Sequence, residues 1–534
     1  KDQFFRIIFF TMINYNKESL FILIKSLSKS EKRQFKLFVG RVGSNLDSKF
    51  LKLFNLMDKM SNYDEKYILN KKIVSKRQLS NLKAHLYKQL LVSLKLNPLN
   101  QNLRSKIRQE LEFASILYNK GLYKQSLKIL DKAKSLAVKS EDKFIAFEIV
   151  ELEKLIESQY ITRSLSNRSE KLISESNKLI QQNNITSRLS NLSLELYEKL
   201  IKAGYAKSDK EFKEITKFFF ERMPDLDYDS FGFREKLWHN KAYLWFSLLI
   251  QDFLSSYKYA MKWVDMFNDN PEMIKVHPVF YLQGNNYLLE SLMLIKHPDK
   301  FRKVLDNLTD NIKKSSFPKN DNLDALYFLY YFNNKINLYF LEGEFKQGTL
   351  IVESIISKID LYKDRIDQHH IMVFYYKIAC LYFGSEEYEK TIFYLNMIIK
   401  NKSLKMREDL LCFTRVLNLV AHYEAGFDFH LDKILKETYK FLLKMNDLHS
   451  VQKSMIKFIR TLGSIYPHEL RRNFKKLYKE IKAFEEDPYE RRSFLYLDII
   501  SWLESKIYDK PIELIIKEKA KHLNKKVKHS ISHL

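Results

Sequence analysis

Glycine, proline and cysteine are all scarce in this 534-residue chain, and each scarcity excludes a class of protein. There are 11 glycines and 9 prolines, roughly 2% each against average usages of about 7% and 5%. Sheet-rich folds place these residues at many of their turns, so an all-β architecture is disfavoured. Doubly wound α/β folds need clustered glycines in their phosphate-binding loops, and no such cluster is present. The composition favours an all-α fold.

The two cysteines, Cys380 and Cys412, are too few for a disulfide framework or a CxxC metal site. We therefore expect a reducing, cytoplasmic location. No stretch reaches about 18 uncharged apolar residues, so the sequence predicts no membrane-spanning helix. Residues 1–11 contain a short apolar run interrupted by Arg6. We expect them to lie upstream of a true start at Met12, with a short membrane-associating arm as the alternative.

Positive charge is in excess and is concentrated towards the two ends of the chain. The formal net charge is +26, and residues 1–110 contain 23 Lys and Arg against 8 Asp and Glu. Residues 515–534 contain 6 lysines against Glu518. Basic ends would suit an anionic partner such as nucleic acid, and they leave a membrane-peripheral scaffold open. The alternative is compositional bias, because plentiful Lys, Asn, Ile, Phe and Tyr are what an AT-rich coding sequence yields.

Residues 12–104 are predicted to form a small, basic, helical N-terminal domain. Ser28 and Glu31 have the spacing of a capping box, and a long amphipathic helix is expected over residues 78–96. Several short helices in this length could include a helix-turn-helix, so two basic stretches are candidate polyanion contacts. These candidates are Lys29, Lys32, Arg33, Lys36, Lys71, Lys72, Lys76 and Arg77. Gln78 and Asn81 would lie near the start of the recognition helix.

Residues 375–399 have the pattern of two amphipathic helices joined by a tight turn. Apolar and small residues recur at helical spacing on both sides of residues 384–387. That break is too short for anything but an antiparallel hairpin. Residues 117–137 repeat the layout, with Gly121 at the turn.

Both segments resemble tetratricopeptide-type helical hairpins. The match consists of the aromatic residue that opens the second helix, a small residue three later, and apolar residues seven and ten later. These residues are Tyr123, Ser126, Leu130 and Ala133 in one segment, and Tyr388, Thr391, Leu395 and Ile398 in the other. The consensus tryptophan and helix-ending proline of that family are absent, so the repeat is divergent.

Residues that could open the second helix of a hairpin recur at nearly constant spacing. They are Tyr123, Phe212, Tyr257, Phe301, Phe345, Tyr388, Phe429 and Leu470, and from Phe212 onward the gaps are 41 to 45 residues. A further, weak member is expected near residue 168. We predict an all-α fold: an α-solenoid of antiparallel helical hairpins with a period of about 43 residues over residues 105–510. Residues 511–534 should form a capping helix and a basic tail that frays after Asn524.

Catalytic and cofactor-binding motifs are missing from the sequence. It contains no HExxH, GxxxxGK[ST], GxGxxG or GxSxG pattern. The adjacent pair His369 and His370 would point about 100° apart on a helix and would chelate a metal poorly. Cys380 falls inside an apolar helix and is interpreted as a core residue. We expect a protein with no enzymatic activity, no cofactor and no metal.

The tetratricopeptide resemblance implies that a partner would bind in a concave groove lined by the first helix of each hairpin. The candidate groove residues are Tyr330, Asn333, Asn337, Phe340, Tyr376 and Phe383. Asparagine matters here because its amide can both donate and accept hydrogen bonds, and related repeats use it to hold an extended peptide. The leading hypothesis is a non-catalytic scaffold for a protein or peptide. The alternative is a nucleic-acid-associated regulator, with the basic N-terminal domain on the polyanion and the solenoid sensing a partner.

Overall fold

A computed structural model describes residues 18–42, 49–97, 102–159, 167–401, 408–426, 428–444, 450–462, 467–485, 487, 489–490 and 498–531. Over these ranges the chain is folded into α-helices that pack against neighbouring helices, and no β-strand occurs. The prediction of an all-α protein is confirmed. In the same ranges no helix combines the length and apolar character needed to cross a bilayer. The expectations for residues 1–11 and for Met12 lie outside the described residues.

The chain divides into two compact units, with the boundary between Ala133 and Lys134. The first unit contains helical residues 18–26 (α1), α2 (Lys29–Val42), α3 (Lys49–Lys59), α4 (Glu65–Asn70), α5 (Lys76–Lys95), α6 (Leu103–Asn119) and the start of α7 (Tyr123–Lys139). The sequence predicts a change of domain at residue 105, and the boundary between the compact units falls inside α7.

Local sequence signals account for the helix starts of the first unit. The predicted capping box is present, because the Glu31 carboxylate accepts from the Ser28 amide at 2.9 Å and the Ser28 hydroxyl accepts from the Glu31 amide at 3.2 Å. Asp64 caps α4 through the amide of Lys66 at 2.9 Å. The apolar faces of α1, α2, α3 and α5 meet in one core, in which Phe54 and Leu86 are fully buried.

The second unit contains the remaining helices. They are α8 (Lys143–Gln159), α9 (Arg168–Ala203), α10 (Asp209–Arg222), α11 (Phe233–Leu249), α12 (Phe253–Asp269), α13 (Glu272–Val276), α14 (Pro278–Leu294), α15 (Pro298–Lys313), α16 (Asp321–Glu342), α17 (Phe345–Thr349), α18 (Val352–Tyr362), α19 (Gln368–Gly384), α20 (Tyr388–Ile399), α21 (Glu408–Glu424), α22 (Asp428–Leu442), α23 (Ser450–Leu462), α24 (Pro467–Ala483), α25 (Ile499–Tyr508) and α26 (Ile512–Ile531). Two large apolar clusters fill this unit, one from α9 to α16 and the other from α16 to α26.

The segment with the clearest sequence pattern forms α19 and α20, which pack on each other. Glu386 takes a positive φ of 66° in the turn, and the amide of Glu387 donates to the carbonyl of Tyr382 at 2.9 Å, which closes the end of α19. Thr391 is fully buried. A small residue at this position lets the two helices approach closely.

One detailed expectation is wrong and another stays a prediction. Helix α9 begins at Arg168, near which the weak repeat member is expected, and it continues to Ala203 as a single uninterrupted helix. No glycine or proline occurs in this stretch to break it. The basic tail does not fray after Asn524, since α26 continues to Ile531.

Candidate functional site

Helices α14, α16 and α19 lie side by side, with α16 packed against both of its neighbours. Side chains of two types join them. The Asn334 amide on α16 donates to the amide oxygen of Asn286 on α14 at 2.7 Å. The rings of Phe328 on α16 and Phe374 on α19 stack with centroids 5.4 Å apart. This row of helices carries all six candidate groove residues.

Asn333 is the candidate whose hydrogen bonding is incomplete. It lies on α16 and is half-buried. Its amide nitrogen donates to the carbonyl of Leu329, one turn earlier, at 2.9 Å. Its amide oxygen has no hydrogen-bond partner among the described residues. A buried acceptor left unpaired costs free energy. The oxygen is itself buried, so a donor from a partner could reach it only after the side chain turns outward.

Tyr330 and Phe340, also on α16, are both half-buried. Burial is the main cause that raises the pKa of the Tyr330 hydroxyl to about 12, so this side chain remains a neutral hydrogen-bonding group at physiological pH. Phe340 lies with its ring centroid 5.9 Å from that of Phe345. Each keeps part of its surface accessible.

The other three candidates lie in the interior. Asn337, Tyr376 and Phe383 are 7%, 3% and 2% exposed. The Asn337 amide donates to the amide oxygen of Asn334 at 3.3 Å, and the Phe383 ring packs edge-on against Tyr388. Such small exposed fractions leave little surface for contact with a partner. These residues support the helices that carry the accessible side chains.

Sequence reasoning missed two charged residues beside Asn333. Lys377 on α19 donates to the backbone carbonyl of Asn333 at 3.4 Å. Burial lowers the pKa of its ammonium group to about 8, and the negative charge of Glu290 on α14 opposes that shift. Glu290 is exposed and accepts from the Asn286 amide at 2.9 Å. The signal was visible in the sequence, since Lys377 is the one lysine or arginine in the apolar run of α19.

Asn286, Glu290, Asn333, Asn334 and Lys377 together form what we call the amide patch. It spans three neighbouring helices and offers amide donors and acceptors, one carboxylate and one largely desolvated ammonium group. Asn286 and Asn334 are 6% and 1% exposed and join the helices to one another. The exposed Glu290 carboxylate and the half-buried Lys377 ammonium group are the charged groups that a partner could contact.

The basic candidates of the first unit are mostly exposed. Lys29, Arg33 and Lys36 lie on α2 without burial, whereas Lys32 is paired with Asp58 at 2.7 Å. Helix α2 packs against α5. The second stretch occupies the turn between α4 and α5 and the first turn of α5, where Lys71, Lys72, Lys76 and Arg77 are all exposed.

The first turns of α5 have the polarity expected of a surface that meets an anion. Leu79 points into the core, while Gln78 and Asn81 are exposed. The first turn contains no acidic residue. The partial positive charge of a helix N-terminus adds to the charge of Lys76 and Arg77. This start of α5 is the most favourable polyanion surface among the candidates.

The histidine pair and the cysteines take the places expected of them. Asp367 caps α19 by accepting from the amide of His370 at 3.0 Å, so the pair lies at a helix start. Cys380 and Cys412 are not joined in a disulfide, and both are buried. Among the described residues, no group of three His, Cys, Asp or Glu side chains is arranged to hold a metal ion.

Comparison with known proteins gives no family assignment: the chain matches no protein-family model, no curated protein and no solved structure.

Proposed function

We propose that this protein is a non-catalytic scaffold that binds a protein or peptide in a groove lined by the first helices of repeated helical hairpins. Each of the eight anchor residues of the sequence repeat lies within the first five residues of a helix. This placement supports a unit of two helices that recurs about every 43 residues, a longer relative of tetratricopeptide-type repeats. Stacked units of this kind present a row of first helices on one surface.

The amide patch is the observation that carries the proposal. Asn333 keeps an unpaired amide oxygen, and Lys377 makes one long hydrogen bond of 3.4 Å next to it. A peptide could place a carboxylate near the ammonium group. Once the Asn333 side chain turns outward, the peptide backbone could also donate to its amide oxygen. Each contact would remove a desolvation cost that the free protein carries. The proposed contact set is therefore Tyr330, Asn333, Phe340 and Lys377.

The test is site-specific photo-crosslinking of the full chain in a lysate of the source organism. A benzoylphenylalanine in place of Tyr330 should capture a discrete protein partner. The same residue in place of Asn307, which is exposed on α15, should not capture it. Adding Asn333→Ala to the Tyr330 probe should weaken the capture. Equal capture from positions 330 and 307 would show that the partner does not bind specifically in the groove.

A nucleic-acid-associated regulator is the second candidate, and the exposed basic start of α5 favours it. If this surface binds duplex DNA, the full chain should retard a duplex in a gel shift, and the retardation should weaken steeply with salt. Lys76→Glu/Arg77→Glu should abolish the shift. The matched control is Lys49→Glu/Lys88→Glu, which reverses two exposed charges elsewhere in the same unit. No shift at low salt would exclude this candidate.

A further inference from the structure

Between α22 and α23 lies an open cavity of about 450 Å³ that is separate from the amide patch. Pockets that bind ligands commonly have volumes of about 300–1,000 Å³, so this space could admit two or three large side chains. We call it the α22–α23 groove. Its lining residues fall into an apolar set and a basic set, which are described in turn.

Apolar side chains form the floor of the α22–α23 groove and one of its edges. Leu442 and Ile456 are buried at 1% and 4% exposure and close the bottom of the groove. Tyr439 and Leu443 remain 42% and 65% exposed. Contact between water and a leucine that is two-thirds exposed is unfavourable. An apolar side chain from a partner would bury this surface and so favour binding.

Three cations line the opposite edge of the groove. Lys453, Lys457 and Arg460 lie at i, i+4 and i+7 on α23, which contains no acidic residue. Within the described part of the chain none of the three forms an ion pair, and Arg460 lies over the Tyr439 ring at 5.3 Å. Their spacing places them in one row along about 10 Å of helix.

We propose that the α22–α23 groove binds an acidic amphipathic helix of a partner protein. Carboxylates at i, i+4 and i+7 on such a helix would face the row of three cations, while its large apolar residues would enter the cavity. This is the helix-in-groove mode of recognition, with charge complementarity fixing the orientation. A duplex nucleic acid would meet the cations but would leave Leu443 and the apolar floor unused.

The probe is a pool of synthetic peptides of about 15 residues, four helical turns, which carry Glu at i, i+4 and i+7 and Leu, Phe or Trp on the opposite face. A matched pool carries Gln in place of every Glu. Both pools are passed over the immobilised full-length chain at low salt, and retained peptides are measured by fluorescence anisotropy. We expect retention of acidic peptides and little retention of the Gln pool.

Two groove variants and one control locate the binding. Lys453→Glu/Lys457→Glu should weaken the binding of the retained peptides about tenfold or more. Leu443→Ser should also weaken their binding, because an apolar contact is lost. Lys433→Glu/Lys436→Glu reverses two exposed charges on α22 outside the cavity and should leave binding unchanged. Circular dichroism of each variant shows whether the helices are intact.

Three outcomes would overturn the proposal. The first is that no acidic peptide is retained. The second is that retained peptides bind the groove variants and the control variant equally well. The third is that the wild type binds phosphatidylserine vesicles or duplex DNA more tightly than any peptide, and that Lys453→Glu/Lys457→Glu abolishes this binding. That result would make the groove a general polyanion surface.

Discussion

Gly384, the last residue of α19, shows how a single missing side chain lets two elements meet. The ring of Phe345, which opens α17, occupies the space that a Cβ at position 384 would need. Gly348 is in a similar position, but the atom nearest to a Cβ there is the terminal Cδ2 of Leu381. A flexible chain end can move aside, whereas a buried aromatic ring cannot move without its neighbours.

Gly384→Ala should therefore lower the free energy of unfolding by about 1–3 kcal/mol, the usual cost of overpacking. Gly348→Ala should cost less. Urea unfolding followed by tryptophan fluorescence measures both variants against the wild type. Equal stability of Gly384→Ala and the wild type would contradict the close approach of Phe345.

Lys377 makes stability depend on pH in a defined direction. Its folded pKa of about 8 lies below the ordinary value of 10.5, so between these pH values the unfolded chain binds more protons than the folded one. The free energy of unfolding should rise with pH across this window. The stabilisation is therefore fully present above pH 10.5 and is lost as the pH falls through 8.

Burial also lowers the pKa of Lys241, on α11, to about 8. Lys377→Met should therefore reduce the rise in stability between pH 8 and 10.5 without abolishing it. It should also raise stability at pH 7, because a buried ammonium group is removed. Urea titrations at several pH values measure the slope, and Lys400→Met, at an exposed lysine, is the control. An unchanged slope in Lys377→Met would show that its ammonium group is well solvated.

For the candidate groove residues, the sequence predicts which residues share a helix but not how deeply each side chain is buried. Helical spacing correctly places Asn333 and Asn337 on one helix, four residues apart. Their different burial depends on where α14 and α19 lie against α16, which is a matter of packing between residues far apart in the chain. The same limit applies to Tyr376 and Lys377, which are adjacent on α19 yet differ in exposure.

At the scale of elements, the sequence predicts best what is decided within a few residues. The capping box at Ser28 and the turn at Gly121, with its φ of 74°, follow from local side-chain and backbone chemistry. The single helix α9 shows the opposite case. The repeat spacing predicts a helix opening near residue 168, where α9 begins, but it does not predict a helix of 36 residues, although no glycine or proline occurs over residues 168–203.

A buried ion pair ties α8 to α11. The Lys143 ammonium contacts both carboxylate oxygens of Glu235 at 2.8 Å, and the Thr186 hydroxyl on α9 donates to one of them at 3.3 Å. The Glu235 side chain is only 2% exposed. Removing the lysine would leave a buried carboxylate without its cation, which is far costlier than losing an exposed pair.

Lys143→Met should thus lower the free energy of unfolding by about 3–5 kcal/mol. The double variant Lys143→Met/Glu235→Gln should be more stable than Lys143→Met but less stable than the wild type. The exposed pair of Lys202 with Glu198 supplies the control, since Lys202→Met should lower the free energy of unfolding far less. Chemical denaturation of the four proteins completes the comparison. A double variant that is less stable than Lys143→Met would refute this account of Glu235.

At the scale of the whole molecule, each of the two units has an apolar core of its own. The core of the first unit draws on residues between Leu20 and Leu94, and both clusters of the second unit begin after residue 190. All four tryptophans, Trp238, Trp245, Trp263 and Trp502, belong to the second unit. Tryptophan fluorescence therefore reports on the second unit, while far-ultraviolet circular dichroism reports on the helices of both.

This difference between the probes allows the cores to be weakened one at a time. Leu86→Ala and Leu395→Ala each open a cavity at a fully buried position, one in each unit, and each should cost about 2–5 kcal/mol. Because the cores are separate, Leu86→Ala should move part of the dichroism transition to lower urea and leave the fluorescence midpoint in place. Leu395→Ala should move the fluorescence midpoint. Coincident shifts of both probes in both variants would mean that the chain unfolds as one cooperative body, and that the boundary near Ala133 has no energetic counterpart.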